Sequence, residues 1–320
     1  MHRFLKLIFY PTLLTILNSC STDFDVTAPY KETTVVYGLL DALDTIQWVR
    51  INKAYLGEGD AYVMAQQPDS INYPDILDVK IEEYNEGDML LKSFFLMRDS
   101  SIVKEPGIFA TTPNILYRTN GNDKINPDNS YKLVIYNRES GKTITAKTNV
   151  IVDTIYMVNP FSTMQLIYWY GTPPFTVKWK TVSEGVVYQL TVRFHYTEVN
   201  LANTSDSVPK YIDWPFPELV TNNAIEMQTL ELEISGDGFY YNVKNHISSN
   251  PDVKRIVGNI DFIFTVAANE FYTYVQVNKP PSGVNQNIPQ YTNVDGGLGI
   301  FSSRLIKGYD NYVMADGSAI

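Results

Sequence analysis

Alternation of apolar and polar residues is the main pattern along this chain. In Ser130–Tyr136, the residues Tyr131, Leu133 and Ile135 fall on one face of an extended segment, and Val187–Tyr196 alternates in the same way. A period of two residues is typical of a strand with one buried face. Runs of this kind recur between clusters of Gly, Pro, Asn and Asp, which favour turns. The pattern therefore predicts a mainly β protein.

The predicted strands are short, and several follow one another as hairpins. They are Thr33–Leu40, Ile46–Tyr55, Asp78–Tyr84, Met89–Met97, Ser130–Tyr136, Thr143–Val150, Thr154–Val158, Met164–Tyr170, Phe175–Lys180, Val186–Glu198, Thr229–Ile234 and Asn259–Ala267. This rhythm is typical of an immunoglobulin-type β-sandwich. The Cys–Trp–Cys set of antibody domains is absent, so the sequence predicts only the general architecture.

Helices are predicted at few places. Phe239, Val243 and Ile247 share a face of the segment Phe239–Ser248, and Asp237 is the predicted N-cap. Shorter helices are predicted at Gly59–Gln67 and Asn269–Val275.

The predicted organisation has two β-sandwich-type domains after an N-terminal leader. We expect a signal peptide at 1–19, a tether at 20–30, an immunoglobulin-like β-sandwich at 31–150 and a second β-rich domain at 151–320 with its short helix near 239–248. A chain of 320 residues is long enough for two domains of ordinary size. Its 44% hydrophobic residues supply material for both cores.

The N-terminus carries the most specific signal in the sequence. Met1–Leu7 is basic, Ile8–Leu17 is apolar, and Leu17–Cys20 resembles a bacterial lipobox. The apolar run is too short to span a bilayer, which takes about 20 residues. We therefore predict cleavage before Cys20 and acylation of that residue, which would anchor the protein to a membrane.

The residues after Cys20 bear on location. No Asp follows the cysteine directly, and Asp23 and Asp25 resemble the surface-export signal of Bacteroidota lipoproteins. We expect the protein on the outer membrane at the cell surface, with the periplasmic face left as an alternative. The net charge of −10 repels nucleic acid, so no nucleic-acid partner is expected.

Residues for catalysis or metal binding are scarce. The chain has three histidines, of which His2 leaves with the signal peptide, and one cysteine. Zinc sites and nucleophile–histidine pairs draw on these residue types, so neither a metal, a cofactor nor a catalytic set is expected. Glu231 and Glu233 share one strand face and could in principle form the carboxylate pair of a glycoside hydrolase. We instead expect them to lie on the solvent-exposed face of a strand whose other face is apolar.

Aromatic residues are the best candidates for ligand binding. Trp214 and Phe216 belong to a Pro-rich segment that we predict to be a loop, and prolines lower the entropic cost of ordering it. Trp169 and Tyr170 lie in a second aromatic run. Exposed platforms of this kind bind sugars or protein partners, so the expected ligand is a glycan or a peptide.

Four Asp–Ser/Thr–aliphatic triplets resemble the O-glycosylation sequon of Bacteroidota. Their acceptor residues are Thr45, Ser70, Thr154 and Ser207. We predict Ser70 and Ser207 as the preferred sites because both are predicted to lie in loops. Intact-mass analysis of protein from its native host tests this, and the absence of added sugar would contradict it.

Three stretches carry a family resemblance: Val36–Leu40, Tyr131–Val134 with Thr145–Thr148, and Tyr291–Phe301, whose core is Asn-x-x-Gly-Gly-Leu-Gly-x-Phe. They resemble uncharacterised Bacteroidota outer-membrane lipoproteins grouped as domain of unknown function 4249, or near relatives of that group. The resemblance implies an immunoglobulin-like N-terminal domain and a role beside a TonB-dependent outer-membrane barrel. It brings no catalytic residues.

Three functions remain open from the sequence. The first, which we expect, is a non-enzymatic binding or accessory lipoprotein. The second is a fimbrillin-like structural subunit, and the third is a glycan-active enzyme.

Glycines in the Tyr291–Phe301 stretch are expected to serve a tight turn or close backbone packing.

Overall fold

The computed structural model describes residues 32–54, 60–122, 124–170, 173–221, 226–279 and 290–315. The predicted signal peptide (1–19), the tether (20–30) and Cys20 lie outside these residues. The described chain is mainly β, as the alternation predicts. Within it, no helix is long and apolar enough to cross a membrane.

The described elements follow in chain order. The strands are β1 (Thr33–Leu40), β2 (Trp48–Ala54), β3 (Leu77–Tyr84), β4 (Leu90–Asp99), β5 (Leu116–Arg118), β6 (Ser130–Asn137), β7 (Thr143–Asn149), β8 (Met157–Asn159), β9 (Phe175–Lys180), β10 (Val187–Asn200), β11 (Ser207–Pro215), β12 (Leu219–Val220), β13 (Thr229–Ile234), β14 (Val253–Ala267), β15 (Val294–Asp295) and β16 (Leu298–Tyr312). The helices are α1 (Ala61–Ala65), α2 (Pro68–Ile71), α3 (Gly236–His246) and α4 (Asn269–Val277).

The N-terminal part of the fold is a sandwich around one core. β1 pairs with β2, β3 with β4 and β6 with β7 as antiparallel hairpins. Strand order runs β1-β2-β5-β4-β3-β6-β7-β15 within one continuous sheet. Val36, Val49, Ile81 and Leu133 belong to the same buried cluster, so this sheet folds over and encloses its core from two sides.

A second core lies under the remaining strands. The sheet continues from β1 through β16, β14 and β10 to β11, and a separate sheet has the order β13-β9-β8. Trp179 of β9, Phe262 and Phe264 of β14, and Phe239 of α3 are all buried in this core. The small sheet and α3 therefore cover one face of the large sheet.

β16 passes from one core to the other. Its first half runs parallel to β1, from Val35 opposite Leu298 to Leu40 opposite Ser303. Its second half pairs antiparallel with β14. Phe301 is buried in the first core and Leu305 in the second. Residues 294–303 thus complete the N-terminal sandwich, although the division into 31–150 and 151–320 assigns them to the other half.

The segment Asn293–Gly299, Asn-Val-Asp-Gly-Gly-Leu-Gly, forms the turn that leads into β16 and the first residues of that strand. The Asn293 amide donates to the Phe301 carbonyl oxygen at 2.6 Å and accepts from the Phe301 N–H at 2.9 Å. Gly296 has φ +78° and Gly299 has φ +104°, values that favour glycine. A Cβ on Gly299 would lie 2.9 Å from the Val36 carbonyl carbon. The structure confirms that these glycines serve a turn and a close backbone approach.

The predicted strand at Met164–Tyr170 and the predicted loop around Trp214 are both wrong. Met164–Tyr170 is not a strand: burial alternates there, but no strand lies alongside, and Ile167 forms only an isolated bridge with Met314. The Pro-rich segment around Trp214 is not a loop, because Ser207–Pro215 pairs with β10 as an edge strand. Prolines are tolerated there because an edge strand has an unpaired side.

Helix α3 begins earlier than predicted. Its N-cap is Ser235, whose hydroxyl accepts the Gly238 N–H at 3.1 Å, so Asp237 is not the cap. Asp237 instead lies in the first turn, where a negative charge complements the partial positive charge of the helix N-terminus.

Candidate functional site

Trp169, predicted to bind ligand, is a core residue. Its side chain is 1% exposed and stacks on Phe239 with ring centroids 4.6 Å apart and planes 9° apart. Because the Phe239 ring covers one face of the Trp169 ring and the side chain is buried, Trp169 cannot stack on a ligand. The prediction of a binding role for Trp169 is therefore wrong, because alternation in the chain turns this tryptophan inward.

The other predicted aromatics lie near the start of α3. Tyr170 is 50% exposed and packs edge-on against Tyr168. Trp214 and Phe216 are half-buried, 4.5 Å apart, and pack against the second core. An added Cβ on Gly238 would lie 3.2 Å from the Trp214 ring, so this ring covers the helix rather than standing free.

The predicted glycosylation residues differ in accessibility. Thr45 and Thr154 are exposed and lie outside helices and strands. Ser70 is half-buried in α2, and Ser207 is exposed as the first residue of β11. Ser70 and Ser207 are therefore not loop residues, contrary to the prediction.

The two described histidines have structural partners. The Nε2 atom of His195 lies 2.6 Å from Asp261, whose other oxygen accepts the Asn311 N–H at 2.9 Å. The Nδ1 atom of His246 lies 2.9 Å from the carbonyl oxygen of Asn242, one turn earlier in α3. Within the described ranges, no group of three His, Cys, Asp or Glu residues could hold a metal ion.

A pocket on the outer face of β1 and β2 has the strongest features of a binding site. Its volume is about 490 Å³. Its walls are mainly apolar, and three basic residues line it; we call it the cationic pocket. The lining residues are Val35, Tyr37, Arg50, Asn52, Lys53, Ala54, Ala61, Ala65, Ile71, Lys104 and Phe109.

The strand pattern determines which side chains reach this pocket. In β1, Val36 and Leu40 are buried in the core, so Val35 and Tyr37 point to the outer face. In β2, Val49 and Ile51 are buried, so Arg50 points outward. The floor of the cationic pocket is thus the reverse side of the sandwich sheet.

The wall of the pocket comes from the two short helices and a loop. The amide of Asn52 in β2 donates to the Ile71 carbonyl oxygen at 3.0 Å, which fixes the end of α2 against the sheet. The Ala110 N–H donates to the Ala65 carbonyl oxygen at 2.8 Å. This bond joins the loop that carries Lys104 to the end of α1 and encloses the pocket.

The basic groups in the pocket have neutral hydrogen-bond partners among the described residues. Arg50 donates to the Asn114 amide oxygen at 2.8 Å, and Lys104 donates to the Ala110 carbonyl oxygen at 3.1 Å. Burial lowers the pKa of Arg50. Burial also lowers the pKa of Lys104, and the Arg50 charge lowers it further. Across the described segments, Arg50, Lys53 and Lys104 form no ion pair with a carboxylate.

A neighbouring cavity differs in charge. It has a volume of about 310 Å³ and shares Tyr37 and Arg50 with the cationic pocket. Tyr37 packs edge-on against Tyr274 of α4 at 6.2 Å. Asp44 and Arg304 line this cavity and lie 3.9 Å apart, so one of its two basic residues has an acidic partner. Among the described residues, none of the three basic residues of the cationic pocket has a carboxylate partner, which makes it the better candidate.

Sequence reasoning did not find this pocket. Arg50 and Lys53 belong to a predicted strand, and alternation alone places an outward Arg in solvent. Lys104 comes from a separate loop, so only the folded chain brings its charge close to that of Arg50.

Comparisons with known proteins add little about function. No protein-family model and no curated protein matches the chain. Among solved structures, the C-terminal globular domain of an oligosaccharyltransferase from Pyrococcus abyssi aligns with 13% identity and a TM-score of 0.24. The alignment covers 73% of this chain and 46% of that chain.

Proposed function

We propose that this protein is a lipid-anchored outer-membrane protein that acts by binding a ligand in the cationic pocket rather than by catalysis. The observation that carries the proposal is the pocket itself, which combines apolar walls with basic groups that form no ion pair with any carboxylate of the described residues. Concave apolar sites with a few placed polar groups are typical of ligand binding.

The anchor in this proposal rests on the sequence around Cys20. The segment from Cys20 to Thr33 can reach at most about 45 Å when fully extended. Thr33 pairs with Ala54, a residue that lines the cationic pocket. An acylated Cys20 would therefore keep the pocket end of the sandwich near the membrane surface. The resemblance to outer-membrane lipoproteins supports a TonB-dependent barrel as the partner there.

Purification from the native outer membrane tests the anchor and the partner. We expect an N-terminal peptide that begins at an acylated Cys20, a Cys20→Ser variant that no longer fractionates with the membrane, and co-elution of a large barrel. A mature N-terminus downstream of Cys20 would contradict the proposal and favour the fimbrillin-like alternative, since such subunits lose their N-terminal region.

Binding of a neutral apolar dye tests the use of the pocket. N-phenyl-1-naphthylamine should bind the wild-type protein, and Ala54→Trp should abolish binding because the indole fills the pocket. Ala202→Trp is the matched control, because Ala202 is exposed in a loop remote in sequence from the lining residues. Equal dye binding by both variants would show that the dye site lies elsewhere.

A further inference from the structure

The cationic pocket holds positive charge under conditions that disfavour it. The Arg50 guanidinium and the Lys104 ammonium are partly withdrawn from water. A charge that loses water needs compensation from an opposite charge or several hydrogen bonds. Each group has one neutral acceptor, the Asn114 amide for Arg50 and the Ala110 carbonyl for Lys104.

Arg50 and Lys104 also repel each other. The Arg50 charge contributes to the lowered pKa of Lys104, so the two groups interact electrostatically across the pocket. Lys53 adds a third positive charge to the lining. This concentration of charge is unusual for a chain with a net charge of −10, in which acidic residues are abundant. A bound anion would reduce the repulsion and supply the acidic partner that none of the described residues provides.

The remaining wall of the pocket favours an apolar body on the same ligand. Ile71, Ala65 and Phe109 line it, and Lys104 lies 5.3 Å above the Phe109 ring. The charged Nζ atom of Lys104 thus lies over an aromatic ring, at a distance typical of a cation–π contact. A volume of about 490 Å³ accommodates a small organic ligand rather than a simple ion alone.

We propose that the cationic pocket binds an anionic amphiphile, with a carboxylate against Arg50 and Lys104 and a hydrocarbon or aromatic body against Ile71 and Phe109. The inference rests on the proposed function and specifies its ligand class. The same head-group chemistry could belong to a free carboxylate or to an anionic lipid in a bilayer.

A pair of dyes that differ in one charged group tests the ligand class. 8-Anilino-1-naphthalenesulfonate carries an anionic group that N-phenyl-1-naphthylamine lacks, and fluorescence titration gives the affinity of each. We expect the anionic dye to bind at least tenfold more tightly. Lys104→Met and Arg50→Gln should each weaken the anionic dye at least tenfold and leave the neutral dye within twofold. Lys142→Met, an exposed lysine outside the pocket, is the control.

Decanoate and 1-decanol extend the test to aliphatic ligands. Decanoate should displace the anionic dye at a concentration at least tenfold lower than 1-decanol does, and higher salt should reduce that difference. Flotation with phosphatidylglycerol vesicles distinguishes the source. Displacement by decanoate without flotation assigns a free carboxylate, and flotation that is lost in Lys104→Met assigns a bilayer lipid.

The outcomes separate this inference from the function on which it rests. Equal affinity for both dyes, or an unchanged affinity for the anionic dye in Lys104→Met, would overturn the ligand class but leave a neutral-ligand pocket. Failure of both dyes, decanoate and vesicles to bind would overturn both. If Arg50→Gln does not fold, Lys104→Met still decides, because the Lys104 side chain is partly exposed and its replacement is expected to leave the fold intact.

Discussion

Replacing Gly299 with alanine tests the parallel pairing of β1 with β16. Gly299 lies opposite Val36, and its φ of +104° belongs to a region that alanine rarely adopts. An added Cβ would lie 2.9 Å from the Val36 carbonyl carbon, 3.0 Å from its nitrogen, and closer still to its oxygen. These are backbone atoms of a strand in the middle of the sheet, so the clash cannot be relieved by a side-chain rotation.

The expected loss of stability has two sources. A left-handed backbone conformation costs a residue with a Cβ about 1–2 kcal/mol. Forcing an extra carbon into a packed site costs about 1–3 kcal/mol. We therefore expect Gly299→Ala to lower the free energy of unfolding by about 2–5 kcal/mol, measured by urea denaturation with circular dichroism.

Two other glycines serve as controls. Gly141 has φ +68° but no atom within 4 Å of an added Cβ, so Gly141→Ala should show the backbone cost alone, about 1–2 kcal/mol. Gly107 has neither a positive φ nor a neighbour within 4 Å, so Gly107→Ala should change stability by less than about 0.5 kcal/mol. The reasoning is refuted if Gly299→Ala is no more destabilising than Gly141→Ala.

Three further predictions concern the second core, a surface carboxylate and the pocket. Phe239→Ala should lower the free energy of unfolding by about 3–5 kcal/mol in urea denaturation, because this ring is 2% exposed and fills the centre of the second core. Tyr241→Ala, on the exposed side of the same helix, is the control and should lower it by less than about 0.5 kcal/mol. Hydrogen bonds from Ser101 and Arg118 lower the pKa of Asp99 to about 2, and NMR titration of the Asp99 carboxyl should find that value. The ionised carboxylate therefore contributes to the free energy of unfolding fully above about pH 4, and this contribution should disappear as the pH falls through about 2. A measured pKa near the ordinary value of about 4 would contradict this. Lys104→Met should leave the ligand-free protein at least as stable as the wild type in urea denaturation at pH 7, because burial and the Arg50 charge disfavour the charged amine. A clear loss of stability would show that the amine is compensated in the folded protein.

Much of the fold could be predicted from local alternation. β1 and β9 have the predicted bounds, because each alternates between a buried core and an outer face along its whole length. β16 was not predicted. Its first residues, Leu298–Phe301, include glycine and pair in parallel with β1, which lies at the other end of the chain. Local sequence carries no signal for a pairing between such distant segments.

The candidate site was the least predictable part. Trp169 and Trp214 are the kind of residue that ligands contact, but the same apolar area drives them against the core. Arg50 and Lys104 are ordinary surface residues in sequence. Their importance comes from the loss of water and from their mutual repulsion, both of which exist only after the loop at 104–110 packs on α1.

The path of β16 has a consequence for the order in which this chain can fold. During synthesis or export from the N-terminus, β1 has no parallel neighbour until Leu298–Ser303 has emerged. Until then the N-terminal sandwich lacks Phe301 from its core and presents the edge of β1 to other chains. The sandwich that is made first is therefore among the last parts to be completed, and a chain stopped before residue 298 would expose an adhesive strand edge.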